Sequence, residues 1–216
     1  MDILEIMKER HSVRQYSGKK IESRVREALT ALAGECNRES GLSFQILYDE
    51  PKCFDSMMAH YGKFSGVDNY VALVGKKGAD LDEKAGYYGE KLVLKAQELG
   101  LNTCWVAMTH GKSAANIKKG EKLVCIIALG YGVTQGTAHK NKPVEQLCNC
   151  ASNMPNWFSE GMEAALLAPT AINQQKFYIT LENGRVSARA GKGFYTKMDL
   201  GIVKYHFEAV TGRRVE

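Results

Sequence analysis

Arg10-His11-Ser12-Val13-Arg14 places two guanidiniums on either side of a hydroxyl, one at every second position. On a helix, Arg10 and Ser12 would point about 200° apart. On an extended segment, Arg10, Ser12 and Arg14 share one side, because side chains alternate there. Two planar, permanently charged donors and a hydroxyl along one edge suit a phosphate monoester with an electron-rich acceptor group beside it. Taken alone, the pentapeptide is also compatible with a solvated basic turn.

The segments on either side are more regular. Upstream, Asp2 and Glu5 have the spacing of a capping box, and Ile3, Leu4, Ile6 and Met7 form one helical face that delivers the chain to Arg10. Downstream, Ser17 to Lys20 reads as a turn, and a helix is predicted over 22–33, with Val25, Ala28, Leu29 and Leu32 on one face. Phe44 to Tyr48 reads as a strand and 52–60 as a helix. Tyr70 to Val74 is a continuous apolar run, hence a strand covered on both faces. A long helix is predicted over 82–99, and Gly100 stands where a C-terminal glycine belongs. Strands follow over 103–107 and 123–129, then a lysine-rich loop to Pro143 and a helix over 156–167. Phe177 to Leu181 and Val186 to Arg189 make a hairpin around Glu182-Asn183-Gly184, and the last helix covers 196–210.

Strands and helices mix without a strict βαβ rhythm, so the class is α+β. A weak repeat runs through the chain. Glu27 to Ala33, Asn37 and the strand from Phe44 parallel Glu163 to Pro169, Asn173 and the strand from Phe177. The organisation expected is a core over 1–150 and a C-terminal half-repeat over 151–216 that packs on it and completes a shared site.

Composition narrows the function. The chain has 216 residues and a net charge of +5, with charges of both signs interspersed, which disfavours nucleic acid as a partner. The N-terminus lacks a signal-peptide pattern and no apolar run would cross a membrane, so a cytoplasmic protein with no membrane partner is expected. The six cysteines are scattered. Cys148 and Cys150 suit neither a zinc knuckle nor a redox pair, so reduced packing thiols and no metal site are expected. Gly111-Lys112-Ser113 lacks the first glycine of a P-loop, and Gly130-Tyr131-Gly132 is not followed by a helix as a dinucleotide fingerprint requires. The histidines never take metal spacing, and His206 reads as a packed or capping residue. No Ser-His-Asp or paired-carboxylate pattern supports hydrolysis.

What accumulates is hydrogen-bond donors. Lys140 and Lys142 alternate in an extended loop, Asn173 and Gln175 offer amides after a proline-fixed helix end, and Trp105 lies near a strand end beside Met108. Each also has a structural reading: solvated lysines, a capping asparagine, a core tryptophan.

Together these segments resemble the nitroreductase family. Arg10-His11-Ser12-Val13-Arg14 is similar to its N-terminal R-x-S-x-R/K signature, and Lys91 to Val106 to its long core helix and following strand. Leu129-Gly130-Tyr131 resembles its L-G-Y end, and Lys140-x-Lys142-Pro143 its late basic pair. Ala168-Pro169-Thr170-Ala171-x-Asn173-x-Gln175 resembles its A-P-S-x-x-N-x-Q motif, with Lys176-Phe177 in place of Pro-Trp. In the usual family order that motif follows helix 2, where this chain has the degenerate Ala33-Gly34-Glu35-Cys36-Asn37. The good copy comes late, as in the Thermotoga-type subfamily with its extra half-copy.

The resemblance implies a nitroreductase-like fold with a central, mostly antiparallel sheet flanked by helices. It implies FMN as cofactor, with Arg10, Ser12, Lys140 and Lys142 at the phosphate and ribityl end and Arg14 near the ring. It also draws His11, Trp105, Val106, Ala107, Met108, Gly130, Tyr131, Pro169, Thr170, Ala171, Asn173 and Gln175 into the cofactor site. The implied activity passes electrons from NADH or NADPH to a small acceptor, a nitroaromatic or a quinone, with no catalytic side chain because the flavin carries the chemistry. An FMN store or redox sensor without turnover is the alternative. Because this chain carries both motifs itself, a monomeric pseudo-dimer is expected in place of the family's homodimer.

Overall fold

The computed structural model describes residues 2–216. In chain order the first elements are α1 (Ile3–Glu9), α2 (Ser23–Ser40), β1 (Gln45–Leu47), α3 (Met57–Tyr61), β2 (Asn69–Lys76) and α4 (Leu81–Glu98). Then come β3 (Asn102–Val106), β4 (Glu121–Gly130), α5 (Asn156–Leu167), β5 (Phe177–Glu182), β6 (Arg185–Ala190) and α6 (Thr196–Thr211). The chain forms two compact units. A sheet unit gathers Glu9–Leu81 and Leu92–Thr137, and a helical unit gathers the chain up to Lys8, Asp82–Lys91 and Ala138–Glu216.

The sheet unit is built on four antiparallel strands in the order β1-β2-β4-β3. Side chains alternate across it. Tyr70, Ala72 and Val74 of β2 share a face with Cys104, Val106, Ile126 and Ala128, packed against Val13, Tyr16, Phe54 and Phe64. Val71, Ile127 and Leu129 face Leu29 of α2 and Leu92 and Val93 of α4. Both faces are covered, so β2 is apolar without alternation, and every residue from Asn69 to Gly75 is buried.

Two expected helices differ in extent. The one predicted over 22–33 continues to Ser40, because Leu29, Ala33 and Cys36 keep the buried stripe going past Gly34. It closes at Gly41 in the left-handed region (φ 73°), whose N–H reaches Asn37 O. The degenerate motif copy at 33–37 is therefore helix interior, and Asn37 clasps the return strand through both its amide atoms at Phe44. The helix predicted over 52–60 is broken into a single 3₁₀ turn, Pro51–Cys53, and α3. Ser56 is extended and caps α3 by accepting from Ala59 N, which a continuous helix would forbid.

In the helical unit α5 packs on α6, and α6 meets the first turns of α4 at two glycines. A Cβ on Gly86 would run into Met198 O, and one on Gly201 into Glu83 O, so the two backbones touch directly. Phe158 and Phe207 meet edge to face 5.5 Å apart beneath Trp157, and Gly161 leaves room for the Phe207 ring. The β5–β6 hairpin turns at Asn183 and Gly184, both with positive φ (51° and 77°), as a two-residue primed turn requires. Gly100 and Gly212 are left-handed beyond the ends of α4 and α6.

Candidate functional site

In the sheet unit, the chain leaves α1 and runs extended beside the sheet. Val13 N donates to Thr103 O (3.0 Å), Tyr16 N to Ser65 O (2.9 Å) and Ser65 N to Arg14 O (3.1 Å). Val13 and Tyr16 are buried and anchor the segment, and the Tyr16 hydroxyl bonds back to Val13 O at 2.8 Å. The backbone is extended as the pentapeptide implies, and Ser12 and Arg14 are exposed together. Arg10 differs: its side chain is only 4% exposed, while that of Arg14 is open to solvent. All three still bear on one point. Burial pushes the Cys104 thiol pKa up, and Arg14, a hydrogen bond from Ser12, and Arg10 each pull against that rise. Two guanidiniums and a hydroxyl thus bear on the same strand position.

The neighbouring loop is shaped to that segment. Gly136 is left-handed (φ 74°), and a Cβ there would lie 2.7 Å from His11 Cβ and 3.1 Å from Ser12 O. His11 Nδ1 donates to Glu9 O (2.8 Å), which orients its ring. Asn102, which sequence reasoning missed, is 2% exposed and organises this loop. Its Oδ1 accepts from Gly132 N (2.9 Å) and its Nδ2 donates to Gln135 Oε1 (2.9 Å). A lone amide at the start of an apolar strand was the available signal. Gly130 is buried at the end of β4, and Tyr131 accepts from Ser17 N while Lys19 sits 4.4 Å over its ring. Trp105 is half-buried and Val106 buried in β3; Ala107 follows, and Met108 is 67% exposed.

In the helical unit, the structure joins two stretches that lie thirty residues apart in sequence. Gln175, 2% exposed, staples them: its Oε1 accepts from Lys142 N (2.9 Å), and its Nε2 donates to Lys140 O and Asn173 Oδ1 (both 2.8 Å). Asn173 Nδ2 also donates to Lys140 O (2.9 Å), and Lys142 Nζ donates to Gln174 O (2.8 Å) and Gln175 O (3.3 Å). Pro169 ends α5, and Thr170 Oγ1 accepts from Gln175 N (3.0 Å). The turn between them holds Ile172, Asn173 and Gln175 at positive φ (47°, 55° and 44°), a costly conformation for a β-branched residue. The amide of Gln175 and two protons of Lys142 are committed within this network, whereas Lys140 is exposed.

Asp199, on the first turns of α6, is the other tie on this turn. It is 4% exposed and accepts from Ala171 N (3.0 Å) and Gln174 Nε2 (2.7 Å). Burial pushes its carboxyl up to about 6, against the lowering effect of those two bonds. The folded pKa exceeds the unfolded one, so the folded state holds the extra proton between the two values. Asp199 therefore lowers stability as pH rises through that window. From pH 4 to 7, the stability of the native chain should fall by about 2 kcal/mol relative to Asp199→Asn. Urea unfolding of both proteins across that range checks this; parallel pH profiles would overturn it.

No curated protein matches the chain. The family model described as "Putative TM nitroreductase" matches residues 2–211. Among solved structures, the chain resembles a "putative nitroreductase" from Thermotoga maritima, at 23% identity and a TM-score of 0.72, over 99% of this chain and 87% of that one. It also resembles a "putative NADH dehydrogenase/NAD(P)H nitroreductase" from Bacteroides thetaiotaomicron (18% identity, TM-score 0.53) over 67% of this chain and 95% of that one. A third is a "putative nitroreductase in complex with FMN" from Desulfovibrio desulfuricans (16%, 0.54), over 67% of this chain and 94% of that one. The shorter structures are nearly spanned by two thirds of this chain, and the Thermotoga structure aligns with almost all of it. With antiparallel strands flanked by helices and a family match from Asp2 to Thr211, the chain belongs to the nitroreductase family represented by the Thermotoga protein.

Proposed function

We propose that this chain is an FMN-dependent oxidoreductase that passes electrons from NADH or NADPH to a small acceptor, a nitroaromatic or a quinone. The observation that carries the reading is the Arg10–Arg14 segment held along β3, Val13 N on Thr103 O, with Ser12 and Arg14 exposed, in a member of this family. The residues fit the group: guanidinium forks and a hydroxyl match a phosphate monoester, and Gly136 keeps the adjoining loop pressed to their backbone. Family membership and the FMN in the Desulfovibrio structure support the choice of cofactor.

Arg10 and Ser12 would hold the phosphate and ribityl end of the FMN. Arg14 supplies a cation that favours negative charge on the ring. When bound, FMN supplies the two-electron chemistry, and the protein's part is to orient it and position the acceptor. His11, Gly130 and Tyr131 shape the phosphate side, and Trp105 to Met108 line the ring. We infer a monomer with one FMN, working in the cytoplasm. All six cysteines are thiols, five of them buried, which supports a reducing compartment. No helix among the described residues is long and apolar enough to cross a membrane.

Purified protein should be yellow, bleach on anaerobic mixing with NADH or NADPH, and recover colour when acceptor is added. Colourless protein that fails to take up added FMN overturns the reading. Bound FMN that no nicotinamide nucleotide bleaches makes the chain a flavin store or sensor instead. Light scattering of the loaded protein tests the monomer.

A further inference from the structure

The helical unit carries a cavity of about 440 Å³ between the start of β5, the end of β6 and the 3₁₀ turn Val144–Gln146. That volume lies in the range of small-molecule sites. Four cationic residues line it, Lys142, Lys176, Arg189 and Lys192, and no aspartate or glutamate does. Lys142 is already turned onto two backbone carbonyls. The other three enter none of the ion pairs found among the described residues. Like charges gathered around a concavity with no acid among them raise the local potential for an anion.

The backbone holds these cations together. Strand pairing sets Phe177 against Ala190 and Tyr178 against Arg189, and Gly191 N closes the end by donating to Lys176 O (2.8 Å). A Cβ on Gly191 would stand 3.2 Å from Lys176 Cβ, so glycine permits the approach. Beside the amides of Gln146 and Gln175, the lining has an apolar and aromatic side: Leu147 and Phe177 are 2% and 4% exposed, and Ala190 and Tyr178 are half-buried. The Arg189 guanidinium lies 5.1 Å from the Tyr178 ring centroid, a cation–aromatic pair that offers planar surface to a flat ligand.

We propose that this cavity binds a nucleoside phosphate. The phosphates meet Lys176, Lys192 and Arg189, and the base covers the Tyr178 and Leu147 side of the wall, where ring stacking is tolerant of sequence and partner. A bare phosphate would satisfy the charges and leave the apolar wall wet; a nucleoside would do the reverse. The ligand is either a free nucleotide or the adenylate end of the nicotinamide donor. In the second case the inference rests on the oxidoreductase reading.

Calorimetric titration of the FMN-loaded chain with ADP, inorganic phosphate and adenosine tests it. ADP should bind more tightly than either fragment and weaken as salt rises. Arg189→Ala and Lys192→Ala should each weaken ADP by about ten-fold or more, the loss of a charge-assisted bond, at unchanged FMN content. Displacement of ADP by NADPH identifies the donor as the source, and failure of NADPH to displace it identifies a free nucleotide. ADP binding no tighter than phosphate, or unaffected by either substitution, overturns the proposal. Loss of FMN in either variant also overturns it, because the cavity would then belong to the flavin. Flavin bleaching by NADPH in the same samples reports separately on the oxidoreductase reading.

Discussion

Glu90→Ala should lower the unfolding free energy by about 3–5 kcal/mol, the cost of leaving half of a buried pair behind. Glu90 and His206 are both 0% exposed, with Oε1 and Nε2 3.0 Å apart. The other ring nitrogen, Nδ1, lies 2.9 Å from Ala164 O, and a carbonyl can only accept, so Nδ1 carries a proton. The contact ties α4, α5 and α6 in one place. Truncating Glu90 removes the group facing Nε2 and opens a cavity where water does not reach. Glu90→Gln is the informative companion. An amide N–H can donate to Nε2 of the neutral ring, so that variant should keep all but about 1 kcal/mol. Chemical denaturation of the two variants separates pairing from packing. Equal losses in both would show that the hydrogen bond to His206 contributes nothing.

Arg10→Ala should weaken FMN by about 10²–10⁴-fold, because a guanidinium fork loses two charge-assisted bonds of about 1.5–3 kcal/mol each. The proposed division of labour predicts a sharper result than loss of affinity. With Arg10 on the phosphate and Arg14 by the ring, Arg10→Ala should erase the preference for FMN over riboflavin. Arg14→Ala should keep that preference and lower the flavin reduction potential, since the cation near the ring is gone. Arg10→Lys restores charge without the fork and should recover only part of the affinity. Fluorescence titration with both flavins, alongside far-UV circular dichroism to check folding, reads all three. Arg10→Ala protein that binds FMN within about threefold of the native chain would end the phosphate assignment.

Local chemistry decides much of this protein. The extended run at Arg10–Arg14, the both-faces-buried strand at 70–74, the primed turn at Asn183-Gly184 and the glycine beyond α4 follow from alternation, burial pattern and positive φ. Each depends on a few neighbouring residues, so each was legible in the sequence. The extent of α2 was not. Gly34 looks like a break, and only Cys36 buried at 0% exposure shows the helix continuing. The break at Ser56 was hidden for the converse reason: its helical-looking neighbours Met57 and Met58 are exposed, and a capping bond decides the end.

The candidate site divides in the same way. Residue types and spacing marked Arg10, Ser12, Arg14, Lys140, Lys142 and Asn173, because charge and donor chemistry belong to the residue itself. Tertiary structure alone decided that Arg10 is buried while Arg14 is open, that Gln175 donates to Lys140 O and Asn173 Oδ1, and that Lys142 Nζ donates to Gln174 O. It also decided that Asn102 holds the loop against the first motif, and that Asp199 is dry enough to keep a proton near pH 6. Burial and pairing are properties of what the fold brings from far along the chain, and no spacing of one segment encodes them.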